Sequence, residues 1–385
     1  MPKFPENLSR IAIAIDYDEN GYRSLLHSGI NDPCLLYSIL AVASSHYSKW
    51  QKIQDRESLR YLKKALSSLQ SRLKDPALVY QESTIVAMLS LMSYEIFNGA
   101  AGWAPHYQGV LGWLAARGNC SDLNSFLKTW ISMIDTQKAL NLGGSTTAEV
   151  QRWLESGNSW TSNCNTIDPF FGCSVRLPRL MAAAAKLFDI ARMPPGTGPF
   201  TFEEINIRAE ELQRQVRDTK IECVSEPSLA MSCHSERIDL CAIEDLNHRE
   251  YFRRMIAAAE TFRHAAHIYI YRITHEPEQV PSPEIQKSID QMFELLATVP
   301  DALGPGSNLG WCLTVLGAEL DSLDQREYIT CRLQGIQTLG MNNPVSGKRV
   351  LKRVWTQRDL YRQGFCRIQR WQDIMRDMGE GQILV

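Results

Sequence analysis

No stretch of this chain alternates apolar and polar residues at period two for long enough to build a sheet, whereas apolar residues recur at helical spacing from end to end. That periodicity constrains the fold more than any other feature, and it predicts an all-α protein. The segment NDPCLLYSILAVASSHYSKW opens with Asn31 or Asp32 as a cap and Pro33 at the first helical position. It is apolar nearly all round, which predicts a helix buried on most faces. The next segment, ESLRYLKKALSSLQSRLKDP, sets Leu59, Leu62, Leu66, Leu69 and Leu73 on one stripe with charges opposite, and Asp75-Pro76 ends it. Buried and one-sided segments alternate again through STIVAMLSLMSYEIF, HYQGVLGWLAARG and DLNSFLKTWISMIDTQKAL. This is the grammar of a large helical bundle or of packed helix pairs, without a fixed-period repeat.

A second block begins near IDPFFGCSVRLPRLMAAAAKLFDIARMPPGTGP, where the Pro/Gly cluster at 194–199 is a strong breaker. TFEEINIRAEELQRQVRDTK then resumes as a polar, one-sided helix, and residues 222–248 show no sustained period. EYFRRMIAAAETFRHAAHIYIYRI is the longest apolar-periodic segment of the C-terminal half. The expectation is one continuous domain over 1–385, with sub-blocks 1–160 and 161–385 and with helices 33–48, 81–97 and 251–273 at its centre.

Charge removes the cheapest argument for nucleic-acid binding: a formal net charge of −2 gives no global basic field. Direct, specific DNA binding is therefore not expected. The ten cysteines include no Cys-x-x-Cys pair, so structural zinc at the usual spacing is not expected either. MPKFPENLSR lacks an apolar signal core, and no run approaches the roughly 18 apolar residues of a membrane helix. These features predict a reducing nuclear or cytoplasmic compartment and no membrane partner.

Several constellations carry chemistry on paper. Asp16, Asp18, Asn20 and Gly21 match the first half of a calcium loop, but its twelfth position is His27, where a bidentate carboxylate is required. DYDENG therefore reads as a turn. His264 and His267 stand three apart with Glu260 one turn earlier, a spacing that places them near one helix face. The apolar surroundings favour hydrogen-bonded core histidines over metal ligands. The chain has no Asp-Asp pair to hold magnesium against a diphosphate, GPGSNLG lacks the lysine and spacing of a phosphate loop, and no Gly-x-Ser-x-Gly elbow occurs. Glu95 and His106 flank the NGAAG break and are expected to meet, both largely buried, across a helical hairpin as a satisfied internal pair.

Several segments, taken in order, resemble the fungal-specific transcription factor domain. HSGINDPCLLYSILAVASSHYSKW is similar to its early helix. SYEIFNGAAGWAPHYQGVLGWLAARG resembles its Tyr-Glu-x-Phe helix end, glycine turn, tryptophan and His-x-x-Gly helix. IDPFFGCSVRLPRLMAAAAKLFDIA is similar to its Asp-Pro-x-x-Gly segment, and AETFRHAAHIYIYRI, WCLTVLGAELDSLDQREYITCRL and RVLKRVWTQRD with WQDIM resemble its C-terminal helices. The resemblance implies a helical regulatory domain that controls transcription from the nucleus, plausible for a fungal secondary-metabolite cluster, through a protein partner or homodimer and with a small apolar ligand in reach. The binuclear zinc cluster that usually lies upstream in this family has no counterpart here, so the expectation is a regulator that does not itself read DNA. The alternative is an enzyme recruited from this fold, such as a terpene cyclase lacking the usual motifs. Its candidate residues are Glu95, His106, His264, His267 and Arg272, and magnesium would enter only under that alternative; otherwise no cofactor or metal is expected.

Overall fold

The computed structural model describes residues 13–14, 20–100, 102–156, 167–194, 196–221, 248–301 and 304–379. The irregular segment expected at 222–248 lies, up to residue 247, outside the described residues, as do Asp16 and Asp18. Among the described residues the structure is all-α, with fifteen helices. They are α1 (Gly21–Gly29), α2 (Pro33–Trp50), α3 (Ser58–Arg72), α4 (Glu82–Asn98), α5 (Trp103–Arg117), α6 (Ser125–Leu142), α7 (Ala148–Glu155) and α8 (Leu177–Ala191). There follow α9 (Phe202–Arg217), α10 (His248–Thr274), α11 (Pro283–Thr298), α12 (Gly310–Ala318), α13 (Leu323–Thr338), α14 (Asn343–Arg362) and α15 (Trp371–Asp377). The sole extended pairing among the described residues is an isolated antiparallel bridge between Ile167 and Ser174.

Local chemistry sets the helix starts. Asp32 Oδ1 accepts from the N–H groups of Cys34 at 3.1 Å and Leu35 at 3.2 Å, and Pro33 occupies a position whose N–H would have no helical partner. Thr201 and Glu204 form a reciprocal capping box at α9, and Ser282 caps α11 just before Pro283.

Burial divides into two large clusters. The first is built on α2 to α7, with Leu35, Ile85, Leu89, Met92, Trp103 and Trp130 inside. The second is built on α8 to α15 around α10, with Phe188, Phe262, Ile270, Trp311, Leu333 and Val354 inside. Phe97, Met133 and Leu142 pack against both, so α4 and α6 are where the two cores meet.

The leucine stripe of α3 does not bury as one face. Ser58 and Ala65 are fully buried and Leu69 is nearly so, whereas Leu59, Leu66 and Leu73 stay exposed. The small residues let the helix backbone approach its neighbours closely, and the line of closest approach runs through Ser58, Ala65 and Leu69 rather than along the middle of the leucines.

Candidate functional site

Residues 93–100, with Gly102 at the start of α5, form the joint between α4 and α5 and also the seam between the two cores. Asn98 closes α4, and Gly99 follows in the left-handed conformation with φ 70° and ψ 28°. The Gly99 N–H donates to Ile96 O at 2.9 Å and the Ala100 N–H donates to Glu95 O at 3.0 Å, the bond pair of a Schellman motif. A Cβ on Gly99 would lie 2.9 Å from the Asn342 carbonyl oxygen, so glycine is required by φ and by space.

The joint is tied to the C-terminal half by backbone. The Asn342 N–H donates to Phe97 O at 2.9 Å, and Lys49 Nζ donates to the same carbonyl at 3.1 Å. Lys49 also reaches Asn98 Oδ1, which accepts from Ser45 Oγ at 2.9 Å as well. Burial pushes the Lys49 ammonium down to about 8, with Asp55 and Glu95 pulling it the other way. His46 Nε2 lies 2.7 Å from Leu339 O; a carbonyl only accepts, so the proton sits on Nε2. Burial holds that imidazole neutral, its pKa pushed down to about 4.

Under this seam lies a cavity of about 40 Å³, lined by Tyr22, Phe97, Trp130, Phe170, Phe171 and Phe262 among others. The Asp-Pro turn supplies two of the rings. Asp168 Oδ1 accepts from the N–H groups of Phe170 at 2.8 Å and Phe171 at 2.9 Å, and Gly172, at φ 71°, turns the chain back. Ser93, Gln137 and Asn308 bring polar groups to the wall, and Gln137, 3% exposed, has an Oε1 with no hydrogen-bond partner among the described residues. A buried water needs roughly 10–15 Å³ of such space, so the cavity suits a few waters and is too narrow in this conformation for a terpene.

None of the five residues singled out in the sequence lines this cavity. Glu95 and His106 sit on adjacent helices as expected, but both are half-buried rather than largely buried, and no hydrogen bond or ion pair joins them. Trp103 and Tyr107 take the inward face of α5, which leaves His106 at its edge. Burial raises the Glu95 carboxyl against the pull of Lys49, and burial lowers His106.

On α10 the candidates are buried, and each histidine is held through one ring nitrogen while His264 Nδ1 and His267 Nε2 have no hydrogen-bond partner among the described residues. Arg263 Nη2 donates to His264 Nε2 at 2.8 Å, and His267 Nδ1 pairs with Ser288 Oγ at 2.9 Å. Burial drives these imidazoles to about 3 and about 4, so both are neutral. Glu260 is held by Arg263 and by the Ile221 N–H at 2.9 Å, so it is not free to join them around a metal. Arg272 forks onto Glu319, with Nε to Oε1 at 3.0 Å and Nη2 to Oε2 at 2.6 Å, and donates to the carbonyls of Glu276 and Gln279. Among the described residues no group of three or more His, Cys, Asp or Glu is placed to hold a metal ion, and no helix is long and apolar enough to cross a membrane.

The family profile described as Fungal specific transcription factor domain matches residues 3–385. The chain belongs to that family. Comparison with curated proteins and with solved structures gives no match. Two of the segments that carry the family resemblance, the Tyr-Glu-x-Phe helix end and the Asp-Pro-x-x-Gly turn, lie at the seam and line its cavity, so in this member of the fungal transcription factor domain family they act as joinery. Sequence reading missed Lys49, His46 and Gln137. The signal for Gln137 was present: Asp135, Thr136, Gln137 and Asn141 cluster in the second half of α6, and all four are buried.

Proposed function

We propose that this chain is a transcriptional regulatory module, working in the nucleus on a fungal secondary-metabolite gene cluster and acting through a protein partner or a second copy of itself rather than through chemistry on a substrate. Membership of the family supports regulation as such. The observation that carries the choice against catalysis is the fate of the candidate residues. His264, His267 and Arg272 are held by Arg263, Ser288 and Glu319 inside the protein, the wall of the aromatic cavity contains none of the candidates, and Arg272 faces a smaller cavity of about 30 Å³ only while bound to Glu319. A group that holds the fold together is not poised to transfer a proton to a ligand. The aromatic cavity at the seam supports a small apolar ligand as the input, in a conformation wider than this one.

The test is to tether the whole chain to an unrelated DNA-binding domain and measure a reporter, together with duplex binding by the untethered chain. Changed reporter output with only weak, sequence-indifferent DNA binding supports the reading. A silent tethered chain, or a tight complex with one defined DNA site at physiological salt, would overturn it.

A further inference from the structure

Helix α3 contains no aspartate or glutamate. Leu59, Leu66 and Leu73 fall at every seventh residue, which aligns them in one row along the helix and its last turn. They are 70%, 41% and 46% exposed. The intervening Leu69 is buried and Leu62 half-buried, so the inner edge of the row is seated on the protein and the outer edge faces solvent. Along that outer edge, at helical spacing, stand Lys63, Arg60 and Lys74, all exposed.

The charges along this edge are not used up internally. Arg72, on the other side of the helix, is bound to Asp32 at 2.7 Å, and Lys64 stands over the Tyr37 ring at 4.8 Å. Arg60 makes a solvent-exposed 3.4 Å contact with Glu57, which contributes little. Lys63 and Lys74 make no ion pair among the described residues. Three exposed leucines in register, flanked by unspent positive charge, form half of a helix-binding surface.

The sign of the charge selects the occupant. A second copy docking through the same face would set lysine against lysine. The groove between α8 and α9, lined by Leu187, Ile190, Phe200 and Ile207, offers no such selection because Lys186 and Arg208 share its rim with Glu204 and Glu211. We propose that the Leu59–Leu66–Leu73 row with Lys63 and Lys74 docks an acidic amphipathic helix of a partner protein. The partner's leucine-type residues cover the row, and its carboxylates lie along the lysine edge. This deepens the reading of the chain as a regulator working through protein contacts, and it rests on that reading for its biological meaning.

The test uses the full chain and two synthetic helical peptides of roughly 18 residues, leucine at the heptad core positions and either glutamate or lysine at the flanks. Fluorescence anisotropy should show the glutamate peptide binding at least about tenfold more tightly than the lysine peptide, with an affinity that falls as salt rises. The triple variant L59S/L66S/L73S should abolish binding, and K63E/K74E should reverse the preference between the peptides. All five side chains are exposed, so far-UV dichroism and melting temperature should match the parent. Equal binding of the two peptides, no binding of the glutamate peptide at millimolar concentration, or unchanged binding by the triple variant would overturn the proposal. So would self-association in the ultracentrifuge that the triple variant removes, since the occupant would then be a second copy. A tethered chain that regulates a reporter while the peptides fail sinks this surface alone. A silent tethered chain sinks the regulatory reading, and the peptide result then decides the surface by itself.

Discussion

Two buried polar regions hold this protein together in different ways. At the seam, His46, Lys49 and Asn342 reach across chain segments far apart in sequence and bond to backbone carbonyls of Leu339 and Phe97. Along α10, Arg263, His264, His267 and Arg272 bond mainly to side chains of the same helix or of its packed neighbours. Backbone acceptors cannot be mutated away, so the seam is insensitive to most substitutions at the acceptor end and sensitive to backbone geometry. The α10 region has a removable side-chain partner at both ends of its main contacts, although Arg272 also donates to the carbonyls of Glu276 and Gln279. The comparison therefore makes α10 a place where double substitution can restore stability, and the seam a place where it cannot.

The largest effect should come from Arg272→Ala, which leaves Glu319 buried with its bidentate partner gone; chemical denaturation should show a loss of about 3–5 kcal/mol. Arg272→Met with Glu319→Leu should recover much of that loss, because two well-packed apolar side chains replace a desolvated pair. Failure of the double variant to recover anything would place α10 in the same class as the seam.

At the seam, Gly99→Ala forces a side chain into φ 70° and brings a Cβ within 2.9 Å of the Asn342 carbonyl. The left-handed term alone costs roughly 1–2 kcal/mol, so the melt should shift by at least that much. A substitution at Asn342 should not rescue it, since the clash is with backbone. Rescue would show that the seam yields to side-chain exchange after all.

Acid should test both regions together. His46, His264 and His267 are held neutral in the fold, at about 4, about 3 and about 4, while an unfolded histidine takes up its proton near 6.5. The unfolded state therefore binds more protons than the folded state as pH falls below that value, and stability drops with falling pH down to the folded values. Stability measured between pH 6 and about 4.5 should fall more steeply than the one-proton slope of about 1.4 kcal/mol per pH unit. His46→Gln and His267→Gln should each flatten the curve. If only one of them does, that region alone carries the acid sensitivity.

The smallest effect is expected at Glu95. A half-buried carboxylate with no hydrogen-bonded partner among the described residues, and only the charge of Lys49 acting on it, is not holding the joint, so Glu95→Ala should change stability by no more than about 0.5 kcal/mol in a thermal melt. A loss above about 1 kcal/mol would reveal a partner at the seam and blur the contrast with α10.

The sequence by itself determined the all-helical architecture, because caps and periodicity act over a few residues. Asp32 with Pro33, Thr201 with Glu204, and Asn98 with Gly99 each fix a helix end from within their own segment. What the tertiary structure decided was which polar residues meet. Arg272 and Glu319 are 47 residues apart, and His46 and Leu339 are 293 apart. Their pairing depends on how α10 and the α2–α4 pair are packed, which local pattern does not encode. The same holds for α3: its five leucines were legible as a stripe, but the small residues Ser58 and Ala65 drew the helix in along its edge. Close approach at that line, rather than hydrophobicity alone, decided which leucines were buried and which were left to face solvent.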